Sequence, residues 1–450
     1  MHGVISRPGG GTSKGTHQTD LDEESYTEYS ATQMSELDER GWAPIHHAAH
    51  RGIIQTVEKC VRTNKQLLEV RTGDNINSTP VLVATTTGNL NTVIALVDLG
   101  ARLDSVDARG HGIVELCAFR HYMHVLDYFV RLNHDRLSVW KRLVKLMRSD
   151  FEEDAEVAVW CLHELTRVPA DDAEKDQISN SKMMSPYGDD EMEEEEDMTV
   201  PDERHLCAAI NGEWRQAYDS GIVPGITHVL RSLAQDSVKH LAFQTLFNLI
   251  SQQEVREQAA NNGIVQVLSK LLTSKNHELV GMSARCLLLL GDAKSFPDEA
   301  LRHGVYQSLV DATRNERGKP DVLTDIIETM GSIVTGQTMM QSGFGLASGS
   351  FVAIVELLDG QPTRRLVVAL CMTISRLAQH HVDNQNSFVA AGVLSRLMAS
   401  TRERYLNVQL AAVEAVRSLV DGNIHTGNIV IQDGLLEPLF KVRCWNHSLR

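Results

Sequence analysis

The sequence predicts an all-α protein built as two tandem helical-repeat solenoids, one following the other. Three observations carry this. Segments recur with a period in the thirties from Pro44 and with a period in the forties from Gly221. Aromatic residues make up 5% of the 450 residues against 42% hydrophobic, which suits Leu, Val and Ala packing between helices better than a β-sandwich. Proline stands where helices should begin and glycine where they should stop or open.

In the first period, PIHHAAHRG (Pro44 to Gly52) aligns with PVLVATTTG (Pro80 to Gly88), a shift of 36. The turn DERG ending at Gly41 aligns with DARG ending at Gly110, and LVDLGARLDSVD (Leu96 to Asp107) supplies a helix end, a glycine stop and a loop. Each unit reads as turn, short helix from a proline, glycine, second helix. This pattern resembles the ankyrin repeat, with its consensus G-x-T-P-L-H-x-A-A-x-x-G. Repeat two keeps Thr79, Pro80 and Gly88 but has Leu82 in the histidine's place. Repeat three, GHGIVELCAFRHYMHVLDYFV from Gly110, lacks both proline and histidine and rests on register alone.

In the second period, apolar helices open after Gly221, Gly263, Gly304, Gly392 and Gly434, in steps of 42, 41, 88 and 42. The step of 88 holds a further unit opening near Ser350. Each opening is followed by a second amphipathic stretch, such as SVKHLAFQTLFNLI or RLVVALCMTISRLA. This resembles the armadillo repeat, in which glycine opens helix two and helix three is long. An earlier unit has the same form: VWKRLVKLMRSD (Val139 to Asp150), then EDAEVAVWCLHEL (Glu153 to Leu165), with its closing segment delayed to NGEWRQAYDSG (Asn211 to Gly221).

The delay is an acidic insertion. From Asp171 to Glu203 there are fourteen acidic residues against Lys175 and Lys182, a local net of −12 within a total of −16, which leaves −4 for the rest. The expected organisation is therefore a disordered leader at 1–37, ankyrin-like repeats at 38–137, first armadillo-like helices at 138–168, an acidic disordered insert at 169–205, and armadillo-like repeats at 206–450. The final unit, LLEPLFKVRCWNHSLR, supplies one helix without a polar terminal cap, so the chain reads as a piece of a longer array. Ankyrin repeats running directly into armadillo repeats resemble the ankyrin and armadillo repeat-containing proteins over about residues 38–450, and WRQAYDSGIVPGI at the join strengthens the likeness. That resemblance implies a non-enzymatic protein-interaction scaffold without cofactors.

One short stretch argues for chemistry. On a helix from Pro44, His46 and His50 share a face four residues apart and could share a zinc ion. A zinc hydrolase also needs a third ligand and a carboxylate base, yet position 47 is His rather than Glu. The ankyrin resemblance makes His46 a structural residue bonded to loop backbone, with His47 and His50 on the surface. Ala43 replaces the threonine that would bond to it. No phosphate-binding loop occurs, and GFGLASGS (Gly343 to Ser350) reads as a turn.

The armadillo resemblance implies instead a concave surface lined by helix three, with two positions four residues apart. The first row is Trp160, Gln244, Cys286, Glu328, Met372 and Glu414; the second is Glu164, Asn248, Leu290, Ser332, Arg376 and Ser418. Nuclear-import adaptors carry a ladder of Trp and Asn there, whereas this chain has one of each in different repeats. Its carboxylates suit a basic or polar extended segment. Expected partners are other proteins, with no small-molecule substrate. The lack of a basic face argues against nucleic acid, and no run of eighteen apolar residues suggests a membrane span. Seven scattered cysteines without a C-x-x-C pair point to a reducing compartment, the cytoplasm or the nucleus. The competing functions are a nuclear transport or chromatin adaptor that sets the acidic insert against basic tails, and a zinc-dependent enzyme at His46, His47 and His50.

Overall fold

The computed structural model describes Met34 and residues 36–167, 213–232, 234–335, 337–360 and 362–432. Over these residues the chain is helical throughout, with twenty-four α-helices and no strand. The leader to residue 33, the acidic segment and the final helix after Gly434 lie outside the described residues. The chain divides into two compact units, residues 1–128 with 134–137, and residues 129–133 with 138–450.

The first unit is built from helix pairs: α1 (Pro44–Arg51) with α2 (Ile54–Thr63), α3 (Pro80–Thr87) with α4 (Leu90–Asp98), then α5 (Ile113–Phe119) and, through Tyr128, α6 (Met123–Leu132). The first helices stack, α1 on α3 and α3 on α5, and α2 lies beside α4. Each repeat begins with the same aspartate turn. Asp38 Oδ1 accepts from the amides of Arg40 and Trp42 at 2.9 and 2.8 Å, Asp107 Oδ1 from Arg109 and His111, both at 2.8 Å. Asp74 does this in repeat two for Ile76 and Asn77, both at 3.0 Å. Gly41 and Gly110 then take positive φ (78° and 83°), and Asn77 takes their place in repeat two at 56°. Asparagine is the residue that follows glycine in tolerance of this region, so the turn survives without the DxRG signature.

The same substitution of chemistry explains repeat three. In α1 the Ala43 amide donates to His46 Nδ1 at 3.0 Å. In α5 the Gly112 amide donates to Glu115 Oε2 at 3.0 Å, from the third residue of its helix as in α1. Glutamate does the histidine's capping work, which is why a helix starts there with neither proline nor histidine. Repeat two has the complementary defect: Leu82 is fully buried, and Thr79 Oγ1 is buried without a hydrogen-bond partner. An unpaired buried hydroxyl destabilises. Thr79→Val is therefore expected to raise stability by about 1 kcal/mol, read from the urea midpoint; a loss of stability would show that the hydroxyl has a partner in solution.

The second unit repeats three helices. It starts with α7 (Val139–Met147) and α8 (Glu152–Thr166), followed by α9 (Glu213–Asp219), α10 (Ile222–Arg231) and α11 (Asp236–Ile250). Next come α12 (Gln253–Asn261), α13 (Ile264–Leu271) and α14 (His277–Leu290), then α15 (Phe296–Arg302), α16 (Val305–Asn315) and α17 (Pro320–Ile333). The last triplets are α18 (Thr338–Leu346), α19 (Ser350–Glu356) and α20 (Arg364–Ala378), and α21 (Val382–Ala390), α22 (Val393–Ser400) and α23 (Leu406–Val420), before α24 (Ile424–Gln432). Gly221, Gly263, Gly304, Gly349 and Gly392 precede the second helices at φ between 65° and 83°, so the unit expected near Ser350 opens at Gly349. GFGLASGS is only half a turn. Gly343 lies inside α18, and a Cβ on it would come within 2.5 Å of the Tyr306 ring, so the glycine serves packing.

The long third helices stack in the order α8, α11, α14, α17, α20 and α23. Helix α8 packs directly on α11 although the acidic segment separates them in sequence. Asn248 donates to Thr166 Oγ1 at 3.3 Å, and Glu152 Oε1 accepts from the Gln235 amide at 2.9 Å. Buried threonines bond neighbouring helices: Thr329 Oγ1 donates to Ala284 O at 3.0 Å and Thr373 Oγ1 to Ile327 O at 2.8 Å. Helix ends leave carbonyls without partners in the helix, and first helices supply them. Gln341 Nε2 donates to the carbonyls of Arg376 and Gln379 at 2.7 and 2.9 Å, and Gln385 Nε2 to those of Ser418 and Asp421 at 3.0 and 2.9 Å.

Candidate functional site

The histidine stretch is resolved by its hydrogen bonds. His46 is fully buried, with Nδ1 accepting from Ala43 and Nε2 3.1 Å from Val70 O, so both nitrogens serve backbone. Burial holds its pKa below the ordinary value, which keeps the ring neutral. His47 is half-buried and 2.8 Å from Asp38 Oδ2, while the exposed His50 meets the Trp42 ring edge-on at 5.5 Å. Among the described residues no three His, Cys, Asp or Glu side chains cluster as a metal site. His46 fits the structural role that the ankyrin consensus implies.

The helix-three rows need a correction. Cys286 and Leu290 are both fully buried, so neither faces outward. The physical reason is a spacing one residue shorter between the opening glycine and the third helix: α11 starts fifteen residues after Gly221, whereas α14 starts fourteen after Gly263. Helix α14 is thereby rotated by one residue, about 100°, relative to the spacing carried over from the glycines. Arg285 takes the first-row position, half-buried, with Nε 3.0 Å from Asp325 Oδ2. Burial raises the Asp325 pKa, and the Arg285 charge opposes that rise. Ser418 is also buried, at 3% exposure, its hydroxyl 2.8 Å from that of Ser375 between α23 and α20. The exposed residue at that end of α23 is Arg417, bonded to Glu414 at 2.9 Å.

The remaining predicted positions are half-buried: Trp160, Glu164, Gln244, Asn248, Glu328, Ser332, Met372, Arg376 and Glu414. They fall on successive stacked helices, so the structure brings them into one row. Most are held by neighbours. Gln244 donates to His240 Nε2 at 3.0 Å, and Glu328 takes both Nε and Nη2 of Arg365 at 3.3 Å. Glu164 lies 3.8 Å from Arg167. Arg376 donates to Ser332 Oγ at 3.2 Å. Burial lowers its pKa, with the nearby Glu328 charge opposing. The row acids Glu164, Glu328 and Glu414 are thus balanced by Arg167, Arg365 and Arg417, which the spacing analysis missed; their signal is a basic residue near each acid, three residues on or on the next third helix.

The five described cysteines, Cys60, Cys117, Cys161, Cys286 and Cys371, are buried and outside any disulfide, and burial pushes the thiols of Cys161 and Cys371 up to about 12. Raised and buried thiols of this kind are poor nucleophiles. Among the described residues no single helix is long and apolar enough to cross a membrane.

Over 195 residues, 43% of this chain, the sequence is 26% identical to the human ankyrin and armadillo repeat-containing protein. Over 125 residues, 28% of the chain, it is 34% identical to the mouse protein of that name. Over these stretches the chain is similar to the ankyrin and armadillo repeat-containing proteins. It spans 11% and 8% of the lengths of these two relatives. No family model matches it. Among solved structures it is similar to an engineered protein (TM-score 0.49, 19% identity, 64% of this chain and 98% of the other). It is also similar to a designed armadillo repeat protein in complex with the peptide (KR)4 (TM-score 0.48, 14% identity, 63% of this chain and 100% of the other).

Proposed function

We propose that this relative of the ankyrin and armadillo repeat-containing proteins is a non-enzymatic binding scaffold whose helix-three face takes an extended segment of another protein. The observation that carries this is the row of half-buried polar side chains on consecutive stacked helices, from Trp160 and Glu164 through Asn248 and Arg376 to Glu414. Such a row repeats at the spacing of the helices and offers many modest contacts rather than one pocket. Alternating cations and carboxylates favour a mixed polar segment over the purely basic one that the carboxylates alone suggest. The buried thiols suit a cytoplasmic or nuclear setting.

The test is selection of binding peptides from a random displayed library on the full chain. Enriched peptides should bind the triple variant Gln244→Ala, Asn248→Ala and Arg376→Ala at least tenfold more weakly in a fluorescence titration, with the unfolding midpoint little changed. Unaltered affinity would move the binding surface off this face.

A further inference from the structure

The second helices of the second unit carry charge unevenly. VWKRLVKLM of α7 and the following Arg148 hold four basic residues and no acidic one. Lys141, Lys145 and Arg148 are spaced four and three apart, hence on one helix face. All three are exposed and make no ion pair among the described residues. Helix α10 packs beside α7, and α13 beside α10. They add the exposed Arg231, which donates only to the neutral Gly263 O and Gln266 Oε1, and the exposed Lys270. Helix α9, packed against α7 and α10, adds the exposed Arg215. Further along the row, cations are neutralised: Arg314 by Asp311, Arg317 by Glu356 and Arg396 by Asp359. Asp150, two residues after Arg148, and Asp219, four after Arg215, are exposed and pair with none of these cations among the described residues.

The geometry points to an occupant in the same chain: the strip on α7, α9, α10 and α13 docks the acidic run DDEMEEEED, Asp189 to Asp197. The run has eight carboxylates in nine residues against six cations on the strip. Its tethers start beside that surface. The chain leaves at the end of α8, which packs on α7, and returns at Glu213, the first residue of the helix that carries Arg215. Fifteen residues separate Asp197 from Glu213, a reach of up to about 50 Å when extended. A tether of this length holds the run at an effective concentration on the order of millimolar, so individually weak contacts suffice. Such contacts are screened beyond about 8–10 Å at physiological salt, which makes docking reversible.

Two measurements test this. A fluorescent DDEMEEEED peptide is titrated into the full chain, into a chain lacking 171–203, and into that deletion carrying Lys141→Gln, Lys145→Gln and Arg148→Gln. The deletion chain should bind the peptide at least tenfold more tightly than the full chain, and the three substitutions should remove that gain. Independently, carbodiimide cross-linking of the full chain, as a mixture of light and heavy isotopic forms, should join Lys141 or Lys145 to the Asp189–Asp197 run within one chain, and 1 M salt should suppress the product. Equal peptide affinity in full and deleted chains, cross-links spread over exposed lysines elsewhere, or cross-links only between chains would each overturn the proposal. Binding of anionic vesicles or RNA to the full chain through the same three cations would also overturn it, because the strip would then be open with the insert present.

Discussion

Phe344→Ala is expected to destabilise the second unit by about 3–5 kcal/mol, the range for deleting a buried aromatic ring from a packed core. Phe344 is fully buried on α18, and its ring meets that of Tyr306 edge-on with centroids 4.9 Å apart. Gly343 beside it leaves room for the Tyr306 ring. The loss is read from the denaturant midpoint. Tyr306 supplies a local second readout, since burial pushes its phenol up to about 12 from an ordinary 10. The folded state favours the neutral phenol, so this contribution is intact below pH 10 and is lost as pH rises from about 10 to about 12. Opening a cavity beside the ring should admit water and bring the titration back toward 10, visible in the ultraviolet spectrum of tyrosinate. An unchanged midpoint together with an unchanged titration would show that the two rings do not pack in solution.

Gly331→Ala is expected to cost about 1–3 kcal/mol through overpacking. Its Cβ would stand 2.6 Å from Thr373 Oγ1 and 3.1 Å from Thr373 Cα, where α17 and α20 cross closely. The threonine cannot turn aside without breaking its 2.8 Å bond to Ile327 O. The direction is diagnostic, because on an exposed helix the same change would stabilise by up to about 1 kcal/mol. Adding Thr373→Ala should recover part of the loss, and a double-mutant cycle over the four proteins measures the coupling. Strict additivity would place the cost elsewhere. The site bears on function too: Ser332 and Arg376, bonded at 3.2 Å, flank this crossing, so spreading the helices should also weaken peptide binding.

The capping chemistry shows how far a sequence of this kind can be read. Pro44, Pro80 and the opening glycines announce helices because proline lacks an amide to waste and glycine accepts positive φ. These requirements are local, so they are written in the residues themselves. The equivalence of Asn77 with Gly41, and of Glu115 with His46, escapes pattern matching because a different atom meets the same local requirement. The slip at Cys286 has another origin. A spacing shortened by one residue between Gly263 and α14 leaves the composition of α14 unchanged but turns a different face outward, and only its packing against α11 and α17 fixes which.

By itself, then, the sequence determined that the chain would be helical, that its period would change from the thirties to the forties, and that an acidic segment would interrupt the second array. Those properties follow from periodicity and local backbone preference. Tertiary structure alone decided that Arg285 rather than Cys286 joins the candidate binding row, and that Ser418 is lost between α20 and α23. It likewise decided that Arg365 of α20 balances Glu328 of α17 in that row. Each of these depends on which helix faces meet across more than thirty residues of chain, and side-chain burial and pairing are set by that meeting rather than by any local preference.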